Sequence, residues 1–73
     1  MSRLELDVGA LYEAMDLIRA HSRMTWRDVA RLTGISPSTF SRMASGRRPD
    51  ADALCTIIDW LQVPLSRFSR RLP

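Results

Sequence analysis

Gly34 and Gly46 bracket the stretch that most constrains this chain, Gly34-Ile35-Ser36-Pro37-Ser38-Thr39-Phe40-Ser41-Arg42-Met43-Ala44-Ser45-Gly46. It reads as a turn, a short helix and a stop. Gly34 takes positive φ at low cost and ends a preceding helix. Ser36 is a good N-cap, and Pro37 suits the first helical position, where no N–H is needed. The spacing predicts a helix over 37–45. Phe40 and Met43 share one face. Ser38, Ser41, Arg42 and Ser45 share the other, at i, i+3, i+4 and i+7. That second face is small, hydrogen-bonding and positive, a surface suited to a groove between phosphates.

Around this stretch the charge is unevenly spread. The chain of 73 residues carries a net charge of +3. Residues 1–18 are acidic, with Glu5, Asp7, Glu13 and Asp16 against Arg3. Residues 19–48 hold Arg19, Arg23, Arg27, Arg31, Arg42, Arg47 and Arg48 against Asp28 alone. Residues 49–66 are acidic again through Asp50, Asp52 and Asp59, and Arg67, Arg70 and Arg71 make the end basic. All 11 basic residues are arginine, the better bidentate partner for phosphate and guanine.

Apolar spacing predicts further helices on either side. Asp7 is placed to cap a first helix from about Val8 to Ser22, with Leu11, Ala14, Met15 and Ile18 as its core stripe. Thr25 caps a second, Trp26 to Thr33, and Asp28 completes a capping box. Val29 and Ala30 face inward there, with Leu32 or Thr33. Asp50 caps a fourth helix, Ala51 to Gln62, striped by Leu54, Ile57, Ile58 and Leu61. Val63-Pro64 then breaks the chain before a last short helix, Leu65 to Arg70. The expectation is an all-α fold, one compact five-helix domain over 8–70, with a short lead at 1–7 and a tail at 71–73. Folding such a chain buries roughly 60% of its extended surface.

Composition excludes several classes of function. No apolar run is long enough to span a bilayer and no signal-peptide pattern opens the chain, so a cytoplasmic location is expected. One Cys and one His leave no ordinary zinc set, and Cys55 reads as a buried or half-buried small residue. No glycine-rich phosphate loop, nucleophile–base pair or carboxylate dyad appears. Neither an enzyme, a cofactor nor a small-molecule ligand is expected.

The run from Met24 to Phe68 resembles the helix-turn-helix domain of the phage-repressor and Cro type, the XRE family. The matching residues are Thr25, Val29-Ala30, Thr33-Gly34-Ile35-Ser36, Ser38 to Met43, Gly46, Pro49, Leu54, Leu61, Val63-Pro64-Leu65 and Phe68. The resemblance implies that helices two and three form the motif and that the third lies in the DNA major groove. It puts Pro37, Ser38, Ser41 and Arg42 at groove-facing positions as base readers, with phosphate contact the other reading for Ser38, Ser41 and Arg42. It puts Arg19, Trp26, Arg27, Arg47 and Arg48 at phosphates; Thr39 reads either as a phosphate contact or as a support for the turn. Trp26 has a second reading, a half-buried residue closing helices one and two. About five arginines on phosphates imply a log–log salt slope of about −4 to −5.

Three residues depart from the family pattern. Pro37 stands where many relatives carry glutamine, which removes one bidentate reader of adenine. Ala44 replaces a glutamate that commonly pairs with the helix-one arginine, here Arg19. Gln62 replaces a glycine at the end of helix four.

The function expected is sequence-specific binding to a double-stranded DNA operator by a transcriptional regulator, a repressor of phage or prophage type. Trp60, Val63, Pro64 and Leu65 are candidates for homodimer contacts through helices four and five, with monomeric binding as the alternative; Trp60 also reads as a flank of the core. The alternative is an antitoxin or another protein-interaction module using that same surface.

Overall fold

Phe40 sits at the centre of the fold, and the elements are ordered around it. The computed structural model describes residues 3–72. The chain runs β1 (Leu4–Leu6), α1 (Val8–His21), α2 (Trp26–Thr33), α3 (Pro37–Ala44) and α4 (Ala51–Leu61), then a 3₁₀ turn (Leu65–Phe68) and β2 (Ser69–Arg71). The core joins Leu11 and Met15 of α1, Val29 and Ala30 of α2, and Phe40 and Met43 of α3. Val8 of α1, Ile57 and Leu61 of α4 and Phe68 of the 3₁₀ turn complete it. Ala30 contributes by being small, since helices approach closely where a methyl faces the seam. Thr33, not Leu32, is the half-buried residue at the end of α2; Leu32 is exposed.

Each helix starts on a side-chain cap. The Asp7 carboxylate accepts from the Ala10 N–H at 3.1 Å, and Asp50 accepts from Ala53 at 2.8 Å. Thr25 and Asp28 form a reciprocal capping box: the Asp28 N–H donates to Thr25 Oγ1 at 3.1 Å, and the Thr25 N–H donates to Asp28 Oδ2 at 2.9 Å. These bonds hold the Asp28 carboxyl below its usual pKa, and the nearby Arg31 adds to the effect.

The ends of the helices are less regular. Gly34 caps α2 in the left-handed region at φ 75°. Arg23 and Gln62 adopt the same region at φ 57° and 55° without being glycine. Behind α1 the Arg23 N–H reaches the Ala20 carbonyl at 3.1 Å and the Met24 N–H reaches Arg19 at 2.9 Å, a Schellman closure. Gln62 compensates in part, because its Nε2 donates to the Asp59 carbonyl at 2.6 Å.

The expected all-α, five-helix architecture is corrected by the two ends of the chain. The described residues hold four α-helices, and the predicted fifth, Leu65 to Arg70, is only the 3₁₀ turn. Its four residues follow Pro64 with no side-chain cap, too little chain to nucleate an α-helix. Ser69–Arg71 instead extends and pairs antiparallel with Leu4–Leu6, in register Leu4↔Arg71, Glu5↔Arg70 and Leu6↔Ser69. Within the lead, Leu4–Leu6 is therefore strand; Met1 and Ser2 of the lead, and Pro73 of the tail, lie outside the described residues. The Asp7 N–H donates to the Phe68 carbonyl at 2.6 Å and Leu72 N–H to Arg3 at 3.0 Å, continuing the ribbon at both ends.

A second correction concerns α4. Its buried line is Ala53, Ile57 and Leu61, at i, i+4 and i+8, with Leu54 and Ile58 at its margin. That rotation turns Cys55 to solvent, where a buried or half-buried position was expected.

Candidate nucleic-acid interface

The two faces of α3 separate cleanly. Phe40 and Met43 are almost wholly buried, while Pro37, Ser38, Ser41, Arg42 and Ser45 are exposed. Ser36 Oγ caps the helix by accepting the Ser38 N–H at 3.3 Å and shares a 2.9 Å hydrogen bond with Ser38 Oγ. The Ser38 hydroxyl is thus held at the helix start. Thr33 Oγ1 donates to the Val29 carbonyl at 2.7 Å and accepts the Ile35 N–H at 3.3 Å, which ties the end of α2 to the turn. Arg42 has no ion-pair partner among the described residues and leaves its five N–H donors for a ligand. Thr39 is half-buried beside the turn.

The arginines grouped by sequence divide in space. Arg19 is held inside the fold. Its Nη2 meets Asp16 Oδ1 at 2.8 Å and its Nη1 donates to the Met24 carbonyl at 2.7 Å. Its guanidinium carbon lies 5.4 Å from the Trp26 ring centroid. The departure at Ala44 is thus met locally, since Asp16 of the same helix supplies the carboxylate. Arg31 pairs with Asp28. Arg27 and Arg47 are exposed and have no ion pair among the described residues.

Trp26 stacks on Tyr12 at 5.0 Å between centroids and tilts against Phe40 at 5.2 Å. It is half-buried, so the indole closes α1 against α2 and keeps one edge in a depression shared with Tyr12, Pro37, Phe40, Ser41 and Ala44. The structure therefore gives Trp26 its packing role.

Two residues absent from the sequence-based list stand beside the loop after α3. Glu5 Oε2 accepts from Arg48 Nη2 at 3.1 Å, and Glu5 Oε1 accepts from Arg70 Nε at 2.6 Å. No local pattern links positions so far apart; only the acidic start and basic end of the chain hinted at such pairing. At the other candidate surface, Trp60 and Val63 pack partly against the core, while Pro64 and Leu65 are exposed.

No helix among the described residues is long and apolar enough to cross a membrane. Those residues also contain no cluster of three or more His, Cys, Asp or Glu able to hold a metal ion.

A family model described as a helix-turn-helix domain matches residues 15–70. No curated protein matches the chain, and no solved structure does. The match spans α2, the Gly34 turn and α3, and it supports DNA as a partner of the domain. The chain belongs to the helix-turn-helix domain family.

Proposed function

We propose that this protein is a sequence-specific regulator of transcription, a repressor of the phage-repressor and Cro type that acts by occupying a double-stranded DNA operator. The observation that carries this reading is the division of α3, with Phe40 and Met43 buried and Ser38, Ser41 and Arg42 exposed on the opposite side. In this reading α3 enters the major groove with its exposed face toward the base edges. Arg42 reads a guanine through O6 and N7, a contact worth roughly 1–3 kcal/mol of discrimination. Ser38 and Ser41 add hydroxyl contacts to bases. Pro37 offers apolar contact to a thymine methyl.

Phosphate binding falls to Arg27, Arg47 and Arg48, with Thr39 and the exposed edge of Trp26 beside them. Arg19 leaves that set because its donors are engaged with Asp16 and Met24. Three arginines on phosphates give a salt slope of about −2.7 per bound protomer. Pairing of two copies through Trp60, Val63, Pro64 and Leu65 would place half-sites about one helical turn apart. The test is selection of a binding site from a random DNA library. This reading predicts an enriched near-palindrome with guanine at a fixed position in each half. Recovery of unbiased sequence contradicts it.

A further inference from the structure

Glu5 brings together two arginines that have no relation in sequence. One is Arg48, in the loop following α3, and the other is Arg70, on the C-terminal strand. The carboxylate is the recessed member, 19% exposed against 64% for Arg48 and 61% for Arg70. It takes one N–H from each guanidinium, on separate oxygens. Each guanidinium has five N–H donors, so both keep most of theirs for solvent. The group carries one net positive charge, and its two cationic members face outward. A cleft at this point is lined by Asp7, Gly9, Gly46, Arg48 and Arg70 among others, and the Asp7 carboxylate there is engaged as the cap of α1.

We propose that Arg48 and Arg70, drawn together by Glu5, form a single phosphate clamp, so that β2 carries part of the contact with the DNA backbone. The proposal rests on the DNA-binding reading above. The strand pairing explains how Arg70 reaches the site. Glu5 and Arg70 are directly opposite in the ladder and their side chains share one face of the ribbon. Arg71 is opposite Leu4 and projects from the other face. The two adjacent arginines are thus chemically identical and geometrically opposed, which provides an internal control for net charge. A phosphate arriving at Arg48 meets a second guanidinium already oriented by the same carboxylate. Glu5 acts as a positioning residue and does not touch the phosphate.

The test is the salt dependence of binding to a duplex carrying the selected site and to a scrambled duplex. The full-length chain is compared with Arg70→Ala, Arg70→Lys, Arg71→Ala and Arg48→Ala. The clamp predicts that Arg70→Ala and Arg48→Ala each make the log–log slope shallower by about 0.9, equally on both duplexes. At 0.1 M salt this corresponds to roughly an eightfold loss of affinity. Arg70→Lys keeps the slope, because charge is retained, and Arg71→Ala keeps it because the residue faces away. An unchanged slope for Arg70→Ala overturns the clamp. So does an equal change in Arg71→Ala, which marks a net-charge effect, or loss of slope in Arg70→Lys, which marks a role in strand geometry. The absence of salt-dependent binding by the unmodified protein is a different outcome, and it removes the DNA-binding reading together with the clamp.

Discussion

Arg19 and Trp26 are locked together: the guanidinium lies 5.4 Å from the indole centroid while its nitrogens hold Asp16 and the Met24 carbonyl. An arginine that a family resemblance assigns to DNA is here a brace between α1 and the start of α2. Three weak-to-moderate interactions converge on one side chain that is only 24% exposed.

Arg19→Ala is therefore expected to lower stability by about 1–2.5 kcal/mol, combining a charged hydrogen bond with a cation–π contact. Thermal unfolding checks it. For a domain this small each kcal/mol shifts Tm by about 4–8 °C. Asp16→Ala costs less, because its partner keeps the bond to Met24. An Arg19→Ala protein that melts like the parent shows that the brace is unimportant.

Gln62 offers a gain. Its φ of 55° is costly for a residue with a Cβ, and glycine occupies that region freely. Gln62→Gly is expected to stabilise the fold by about 0.5–1 kcal/mol, after allowing for glycine's greater entropy loss and the lost side-chain bond to Asp59. Denaturant titration should show a higher midpoint at unchanged slope.

The capping box gives a pH dependence. Asp28 has a lowered pKa because its carboxylate accepts the Thr25 N–H and hydroxyl interactions and lies near Arg31. A carboxyl with a depressed folded pKa binds its proton more readily in the unfolded chain. Its stabilising effect is complete above the unfolded value of about 3.9 and is lost as pH falls through the lower folded value. The stability gap between the parent and Asp28→Asn should be constant at neutral pH and close progressively below about pH 4. A gap that is flat through this range rules out the linkage.

Much of this was legible in the sequence, because its signals are local. Ser36 with Pro37, Thr25 with Asp28, and Asp7 and Asp50 before apolar stripes located the four helix starts. Gly34 located the turn, and the i, i+3 pairing of Phe40 with Met43 fixed which side of α3 is left for a ligand. What was missed depends on tertiary placement. Leu4–Leu6 and Ser69–Arg71 are too short to show strand periodicity and find each other across the whole chain. The rotation of α4 brings Ala53 onto the buried line with Ile57 and Leu61, and its small size hid it among larger apolar neighbours. Arg19 and Arg48 carried the same sequence signal, a basic residue in a basic block. Only their carboxylate partners, Asp16 and Glu5, separate brace from surface.

In the proposed mode of binding Arg42 reads sequence while the loop arginines hold the backbone. The most direct measurement is the affinity ratio between the selected site and random DNA for Arg42→Ala and Arg48→Ala. The expected result is that Arg42→Ala lowers this ratio about tenfold or more, the loss of one bidentate base contact, while Arg48→Ala weakens both DNAs alike and leaves the ratio intact. A ratio unchanged by Arg42→Ala would contradict the account.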